Sequence, residues 1–190
     1  MVKLKDVCTK IGSGSTPRGG KEAYCTEGIS LIRSQNVLDY EFSVDGLAYI
    51  NDSQAEKLKN VVVEEEDVLL NITGDSVARA CIVEKQYLPA RVNQHVCIIR
   101  TNKEKLVPSY LLYYLQMQKN YLLQMASGGA TRNALTKEMI SNLEMQLPAV
   151  NEQKHIVSIL DDIEAKMHTN KKINNNLHLD KSRFIGMNVA

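Results

Sequence analysis

Short apolar runs separated by turn residues dominate most of the chain. Four of these runs are rich in the aliphatic and β-branched side chains that strands favour. They are ISLIR at 29–33, DVLLNIT at 67–73, ARACIV at 78–83 and HVCIIR at 95–100. Each run predicts one strand. Together the four runs predict a small mixed sheet.

Helical spacing appears at two places in this region. SQAE at 53–56 fits a capping box, in which Ser53 and Glu56 satisfy free N–H groups at a helix start, and it predicts a short helix through Lys59. Pro108 suits the first turn of another helix, which should end near SGG at 127–129. The apolar residues of that helix predict core packing rather than a ligand pocket. They are Leu111, Tyr114, Leu115, Leu122 and Met125.

The chain after LPAV at 147–150 has a different periodicity. Asn151 is a candidate N-cap, and no Gly or Pro follows it until Gly186, so we expect one long helix. Its apolar positions alternate in steps of four and three, a repeat that favours pairing with another helix over folding back on the globular part. Asparagine within such a seam lowers stability and fixes the register. The seam consists of Ile156, Leu160, Ile163, Met167, Asn170, Asn174 and Leu177.

These patterns predict an α+β chain with three segments. Residues 1–148 form a globular domain built on a mixed sheet, residues 149–182 form a long coiled-coil-forming helix, and residues 183–190 form a tail. With 190 residues and 44% hydrophobic content, the chain suits one domain of ordinary size with an appended element. We expect this domain to fold without disulfide or metal.

Composition argues against several classes of protein. The four cysteines form no C-x-x-C pair and no N-terminal apolar run resembles a signal peptide, so we expect reduced thiols in a cytoplasmic protein. The four histidines lack the spacing of a zinc site, and no segment is apolar for long enough to span a membrane. A net charge of +1 excludes nucleic-acid binding through bulk charge. Any contact with DNA must therefore be local.

The glycine-rich run IGSGSTPRGGK at 11–21 superficially resembles a nucleotide-binding loop. A P-loop needs two glycines with four residues between them, then Lys, then a Ser or Thr that binds magnesium. Here Ser15 stands where the first glycine belongs, and Glu22 follows Lys21 in place of the hydroxyl. The spacing therefore argues against a P-loop.

Four consecutive acids at 64–67 are another candidate for chemistry. Like charges in succession repel one another and seek water, so we interpret the run as a solvated loop between two strands rather than a metal or acid–base cluster. The sequence also lacks an Asn-Pro-Pro-aromatic methylation motif and a recognisable Ser, His and acid set. These absences argue against an enzyme, including an autonomous nuclease.

Seven motifs follow one another along nearly the whole chain. They are a G-S-T-P loop at 14–17, ISLIRSQNV at 29–37, DVLLNITGDSVARACIV at 67–83, ARVNQHVCIIR at 90–100, YLLYYLQ at 110–116, ASGGATRNALTKEMISNLEMQLP at 126–148 and NEQKHIVSILDDIEAKM at 151–167. Their order resembles one half of the specificity subunit of type I restriction-modification systems. The most specific part is the L-P, E-Q-K and I-V-x-I-L-D run that closes the domain and opens the helix.

The resemblance implies a non-catalytic, DNA-recognising subunit. In this family two target-recognition domains each precede a helix, and the two helices pair antiparallel to set the distance between two DNA half-sites. A modification subunit carries S-adenosylmethionine and a restriction subunit carries ATP-driven translocation, so this chain is expected to hold no cofactor. One domain with one helix implies a half-length form, and the ending at 178–190 lacks the expected aromatic tail. A homodimer paired through the helix would bind a two-fold symmetric, interrupted site.

Four loops offer side chains that suit DNA. Arg matches guanine, Asn and Gln match adenine, and hydroxyl groups match phosphates. For the first loop, a purely structural turn is the alternative. The candidate DNA-binding residues are Ser15, Thr16 and Arg18 in the first loop, Arg33, Gln35 and Asn36 in the second, Arg79 in the third, Arg91 and Asn93 before the last predicted strand, and Thr131, Arg132 and Asn133 in the fourth.

An alternative function is an interaction subunit that binds modification or specificity subunits through its helix without productive DNA reading. In that case, charge-neutral changes at Arg33, Arg79 and Arg132 would leave activity in cells intact. A charge at Leu160 or Ile163 would abolish it. The DNA-reading hypothesis predicts loss from both sets.

Overall fold

The computed structural model describes residues 1–17, 19–20, 24–128 and 133–187. In the last helix the side chains are described up to residue 174, except at 168, 171 and 172. The chain divides into two compact units, Met1–Gln153 and Lys154–Ala190. Each unit is considered by itself below.

One four-stranded antiparallel sheet joins strands that are distant in sequence. Its order is β2 (Cys8–Ser13), β9 (Val96–Thr101), β6 (Val68–Asn71) and β7 (Ala80–Ile82). The two central strands, β9 and β6, are buried along almost their whole length. Burial of both faces explains why their sequences are continuous apolar runs rather than alternating ones.

A second four-stranded sheet is mixed. Its order is β4 (Ala48–Ile50), β3 (Ile29–Ile32), β8 (Ala90–Val92) and β5 (Val62–Val63). Strands β3 and β8 are parallel, and the other two pairs are antiparallel. All four predicted strands exist, but the prediction that they share one small sheet is wrong. Strand β3 lies in the mixed sheet, whereas β6, β7 and β9 lie in the antiparallel one.

A two-stranded antiparallel sheet closes the unit by joining β1 (Val2–Lys3) to β10 (Glu144–Met145). Two short helices, α1 (Leu4–Val7) and α5 (Lys137–Ser141), adjoin these strands in sequence. The pairing brings the beginning of the unit to its last strand.

The antiparallel sheet separates two apolar clusters. Because neighbouring side chains in a strand point to opposite faces, Leu70 and Ile99 enter one cluster while Leu69 and Ile98 enter the other. The first cluster contains residues of the helices described below, and the second contains residues of the mixed sheet. The order of layers is therefore helices, antiparallel sheet and mixed sheet.

The short helix after β4 begins earlier than the sequence predicts. Helix α2 spans Asp52–Lys57, and its N-cap is Asn51, whose side chain accepts a hydrogen bond from the Gln54 N–H at 2.9 Å. The Gln54 side chain accepts in return from the Asn51 N–H at 3.3 Å. The predicted Ser53–Glu56 box is wrong, because an equivalent Asn–Gln pair two residues earlier caps the helix.

The predicted helix from Pro108 is two helices. Helix α3 spans Pro108–Met117 and helix α4 spans Lys119–Ser127, with a break at Gln118. The predicted core packing is confirmed, because Leu111, Leu115 and Leu122 are completely buried. Tyr114 and Met125 pack partly buried against the same cluster.

The last helix, α6, spans Val150–Met187. It begins at Val150, so Asn151 lies in its first turn instead of capping it. The helix continues through Gly186, the first glycine after the predicted start. Among the helices that the structure describes, none is both long enough and apolar enough to cross a membrane.

Candidate nucleic-acid interface

The glycine-rich loop at 14–17 lies against the end of β8. The Gly14 N–H donates to the Asn93 carbonyl at 3.1 Å. A Cβ atom at Gly14 would lie 1.7 Å from the Val92 carbonyl oxygen, whereas a Cβ at Gly12 would have nothing within 4 Å. Glycine is therefore required at 14 for close approach of two backbones, which explains part of the run without a phosphate.

Three side-chain hydrogen bonds link this loop to the turn after β6. Thr16 Oγ1 donates to Gln94 Oε1, Gln94 Nε2 lies 2.8 Å from His95 Nε2, and His95 Nδ1 lies 2.5 Å from Thr73 Oγ1. If the Gln94 amide nitrogen donates to His95 Nε2, the ring proton lies on Nδ1 and points at Thr73. This series of side-chain hydrogen bonds from Thr16 to Thr73 fixes the first and third predicted loops relative to each other.

Residues of the second loop hold the backbone of 43–46. Asn36 is completely buried, and its amide accepts from the Arg33 N–H at 3.1 Å and donates to the Ser43 carbonyl at 3.0 Å. The Arg33 guanidinium donates to the Gly46 carbonyl and stacks on Tyr24 at 5.2 Å from the ring centroid. These contacts give Asn36 and Arg33 structural roles, and burial removes Asn36 from the surface where the sequence placed it.

Gln35 differs from its two neighbours in the second loop. Its side chain is exposed, and its amide nitrogen lies 3.3 Å from the Asp45 carbonyl. The same nitrogen lies 3.4 Å from the Gly46 carbonyl, and the amide oxygen accepts no hydrogen bond within the described residues. Gln35 is therefore the member of the second loop that is placed to meet a partner.

The two candidates near the last predicted strand are also used within the fold. Arg91 lies in β8, where its Nε donates to the Ala55 carbonyl at 3.2 Å, and burial lowers the pKa of its guanidinium below the ordinary value. Asn93 is buried, and its side-chain oxygen accepts from the His95 N–H at 3.0 Å. Asn93 therefore supports the turn that presents Gln94 and His95, whereas Arg91 joins β8 to helix α2.

The third and fourth loops meet at their backbones. The Gly74 N–H donates to the Asn133 carbonyl at 3.2 Å, and Thr73 forms an isolated β-bridge with Ala134. Asn133 is exposed. The other candidates of the first and fourth loops, Arg18, Thr131 and Arg132, lie outside the described residues.

Two cavities open at these loops, one between the second and third loops and one between the first loop and helix α2. One of about 430 Å³ is lined by Ser34, Gln35, Thr73, Gly74, Asp75, Ser76, Arg79 and His95. Another of about 510 Å³ is lined by Ser15, Thr16, Pro17, Gln54, Lys57 and Leu58. The predicted candidates Ser15, Thr16, Gln35 and Arg79 therefore line open depressions.

Sequence reasoning missed Gln94, His95 and Asp75 as members of this surface. Gln94 and His95 follow directly after the candidate Asn93, and Asp75 lies four residues before the candidate Arg79. Their type gave the only available signal, because an amide, an imidazole and a carboxylate in turns match base edges as well as Arg does.

The acid run at 64–67 is only partly solvated. Asp67 is buried, and its carboxylate accepts from Arg100 Nε and Nη2, each at 2.8 Å. The sequence interpretation is wrong at this residue, because Arg100 of β9 lies opposite it. These contacts also raise the pKa of Arg100 above its ordinary value. Within the described part of the chain, no three His, Cys, Asp or Glu side chains are arranged to hold a metal ion.

The four cysteines are free thiols. Burial raises the pKa of Cys8, Cys81 and Cys97 to about 12. Thiolate is the reactive form of cysteine, so these three side chains are poor nucleophiles near neutral pH.

The second unit exposes apolar side chains along one helix. Ile163 and Met167 of the predicted seam are 47% and 59% exposed, and Asn170 and Asn174 are also exposed. Ile156 and Leu160 are partly exposed, and the side chain of Leu177 lies outside the described set. Two further residues, Ile159 and Ile173, are 48% and 50% exposed and were missed. They stand fourteen residues apart beside the seam, which widens the apolar stripe by one heptad position.

Comparison with known proteins gives a consistent family. The family model described as the type I restriction modification DNA specificity domain matches residues 1–179. The putative type I restriction enzyme MjaX specificity subunit of Methanocaldococcus jannaschii is 26% identical over 176 residues, which is 90% of this chain and 41% of that protein. The EcoBI specificity subunit of Escherichia coli is 27% identical over 154 residues, which is 80% of this chain and 32% of that protein.

Solved structures show a similar fold. A chain from a study of complex assembly and conformational transition of the type I R-M system matches with a TM-score of 0.76 and 24% identity, over 96% of this chain and 42% of that one. The HsdS subunit from Thermoanaerobacter tengcongensis matches with a TM-score of 0.69 and 23% identity, over 90% of this chain and 38% of that one. This chain thus spans less than half the length of these relatives.

Proposed function

The chain belongs to the family of type I restriction-modification specificity subunits, and from this membership we propose that its first unit reads one half of a bipartite DNA site. The observation that carries the proposal is the meeting of separate polar loops around His95. One set of adjoining turns is formed by parts of all four loops, at residues 14–17, 34–35, 73–79 and 133. Loops held by a buried scaffold are the usual carriers of base-reading side chains.

In this proposal the chain performs no chemistry itself. Modification subunits would supply S-adenosylmethionine and methyl transfer, and a restriction subunit would supply ATP-driven steps. The proposed DNA contacts on described residues are Ser15, Thr16, Gln35, Arg79 and Asn133. Three further candidates, Arg33, Asn36 and Asn93, hold these loops in place, and Arg91 joins β8 to helix α2. Arg18, Thr131 and Arg132 remain proposals from the sequence.

Selection from a library of randomised DNA duplexes tests this function. We expect the full chain to enrich an interrupted motif with two-fold symmetry, since a symmetric dimer mirrors its symmetry in the site. Affinity should fall as salt rises, because local phosphate contacts release counterions. Recovery of random sequence alone would contradict DNA reading and favour the interaction-subunit alternative.

We further propose that the helix α6 pairs with the same helix of a second copy and docks modification subunits. The apolar stripe formed by Ile159, Ile163, Met167 and Ile173 supports pairing, because these side chains are about half exposed in the single chain. Such exposure is unfavourable in water unless another surface covers it.

Light scattering at micromolar concentration should give twice the chain mass for the wild type and the mass of one chain for Leu160→Asp. A carboxylate in the seam would have to be buried without a partner, which is costly. Ser158→Asp is the matched control, because Ser158 is exposed and lies outside the seam. A monomeric wild type would overturn the pairing and the symmetric-site prediction with it.

A further inference from the structure

One described arginine engages none of its guanidinium donors within the described part of the chain. The structure describes the side chains of four arginines, and three of them are engaged by carbonyl or carboxylate oxygens: Arg33, Arg91 and Arg100. Within the described part of the chain, the guanidinium of Arg79 has no hydrogen-bond acceptor and no ion-pair partner, although it lines the cavity of about 430 Å³. Its donors remain available for a ligand.

The backbone of Arg79 is fixed even though its guanidinium is not engaged. Its N–H donates to the Ser76 carbonyl at 3.2 Å, and its carbonyl accepts from the Asn71 N–H at 2.8 Å. The turn before it contains two residues with positive φ, Gly74 at 75° and Ala78 at 67°. Arg79 is thus presented from a tightly bonded turn, which lowers the entropy lost when a ligand binds.

The cavity carries both a cation and a carboxylate, and this mixed charge favours a base-pair edge over a phosphate as its ligand. Asp75 lines the same cavity and forms no ion pair with Arg79 in the described structure. A carboxylate repels a phosphate, so the pair is poorly suited to the DNA backbone. The edge of a G·C base pair is neutral, and it offers acceptors on guanine and an amino donor on cytosine.

We infer that Arg79 and Asp75 read one G·C base pair through the major groove. Arg79 donates to guanine O6 and N7, and Asp75 accepts from cytosine N4, which are the pairings that the geometry of these side chains favours. His95 and Thr73 hold the wall of the cavity through their hydrogen bond. This inference rests on the proposed DNA-reading function and specifies one position of its site.

The test is the same selection from randomised duplexes, repeated with the full-length Arg79→Gln and Asp75→Asn variants. The wild-type motif should contain an invariant G·C pair. Arg79→Gln should lower the preference for G at that position by about 10- to 100-fold and shift it toward A, because Gln pairs with adenine. Asp75→Asn should relax the same position, and all other positions should be unchanged. Lys103→Gln, which removes a cation paired with Glu66, is the control for charge alone.

Each other outcome overturns the inference in a recognisable way. If Arg79→Gln weakens binding to all sequences equally and reduces the salt slope by about one, Arg79 contacts a phosphate instead. If the variants, melting at the wild-type temperature, select the wild-type motif, the cavity reads no base. If the wild-type chain itself enriches no motif, the DNA-reading function fails together with this inference.

Discussion

Asp67→Ala should lower the free energy of unfolding by roughly 3 kcal/mol, because it removes one partner of a buried ion pair. The Asp67 carboxylate accepts two hydrogen bonds from Arg100 at 2.8 Å and one from the Glu64 N–H at 2.7 Å. After the substitution, the half-buried Arg100 retains the Val62 carbonyl at 3.0 Å and the exposed Glu64 carboxylate. In thermal unfolding, this loss should lower Tm by about 6–12 °C for a domain of this size.

Glu65→Ala is the matched control within the same run of acids. Glu65 pairs with Lys85 at 3.2 Å, but both side chains are mostly exposed. Exposed pairs contribute at most about 1 kcal/mol, so this substitution should barely change Tm. Equal effects of the two substitutions would show that the run is uniformly solvated, as its sequence suggests.

Asp67 shows why the acid run could not be interpreted from the sequence. The four acids look alike in one dimension, and the partner of Asp67 lies 33 residues away. Arg100 reaches it because β9 and β6 are neighbours in one sheet, with Val68 opposite Ile99. Local charge patterning carries no information about such a pairing.

The strands also differ in whether the local sequence predicts them. Strands β3, β6, β7 and β9 were predictable, because each is an apolar run that is buried where it stands. Strands β5 and β8, with two and three residues, carry almost no pattern of their own. They exist because neighbours supply the hydrogen bonds, so the sheet to which a strand belongs could not be predicted.

The candidate surface was predictable as a set of loops but not as a set of residues. The amide and guanidinium groups that match base edges match backbone carbonyls equally well. Asn36 and Arg91 accordingly use their donors on the carbonyls of Ser43 and Ala55. Only the folded structure separates these from Arg79, whose donors are not used within the described residues.

The N-E-Q-K segment, prominent in the sequence, has a structural explanation in its glutamine. Gln153 is completely buried in the first unit. Its Oε1 accepts from the Val107 N–H at 2.9 Å, and its Nε2 donates to the carbonyls of Lys105 and Pro148 at 2.9 and 2.8 Å. The Gln153 amide therefore joins the start of α6 to the segment before α3 and to Pro148.

Gln153→Leu should lower the free energy of unfolding by about 3 kcal/mol, because it fits the volume but leaves the Val107 N–H and the carbonyls of Lys105 and Pro148 without the completely buried amide that pairs with them. Gln153→Glu should be at least as damaging, since a carboxylate keeps the acceptor for Val107 but cannot donate to either carbonyl. Urea unfolding of both variants beside Asn151→Ala, an exposed position in the same turn, measures the effect. A Gln153→Glu variant as stable as the wild type would mean that the donated bonds contribute nothing, and the glutamine would then need another explanation.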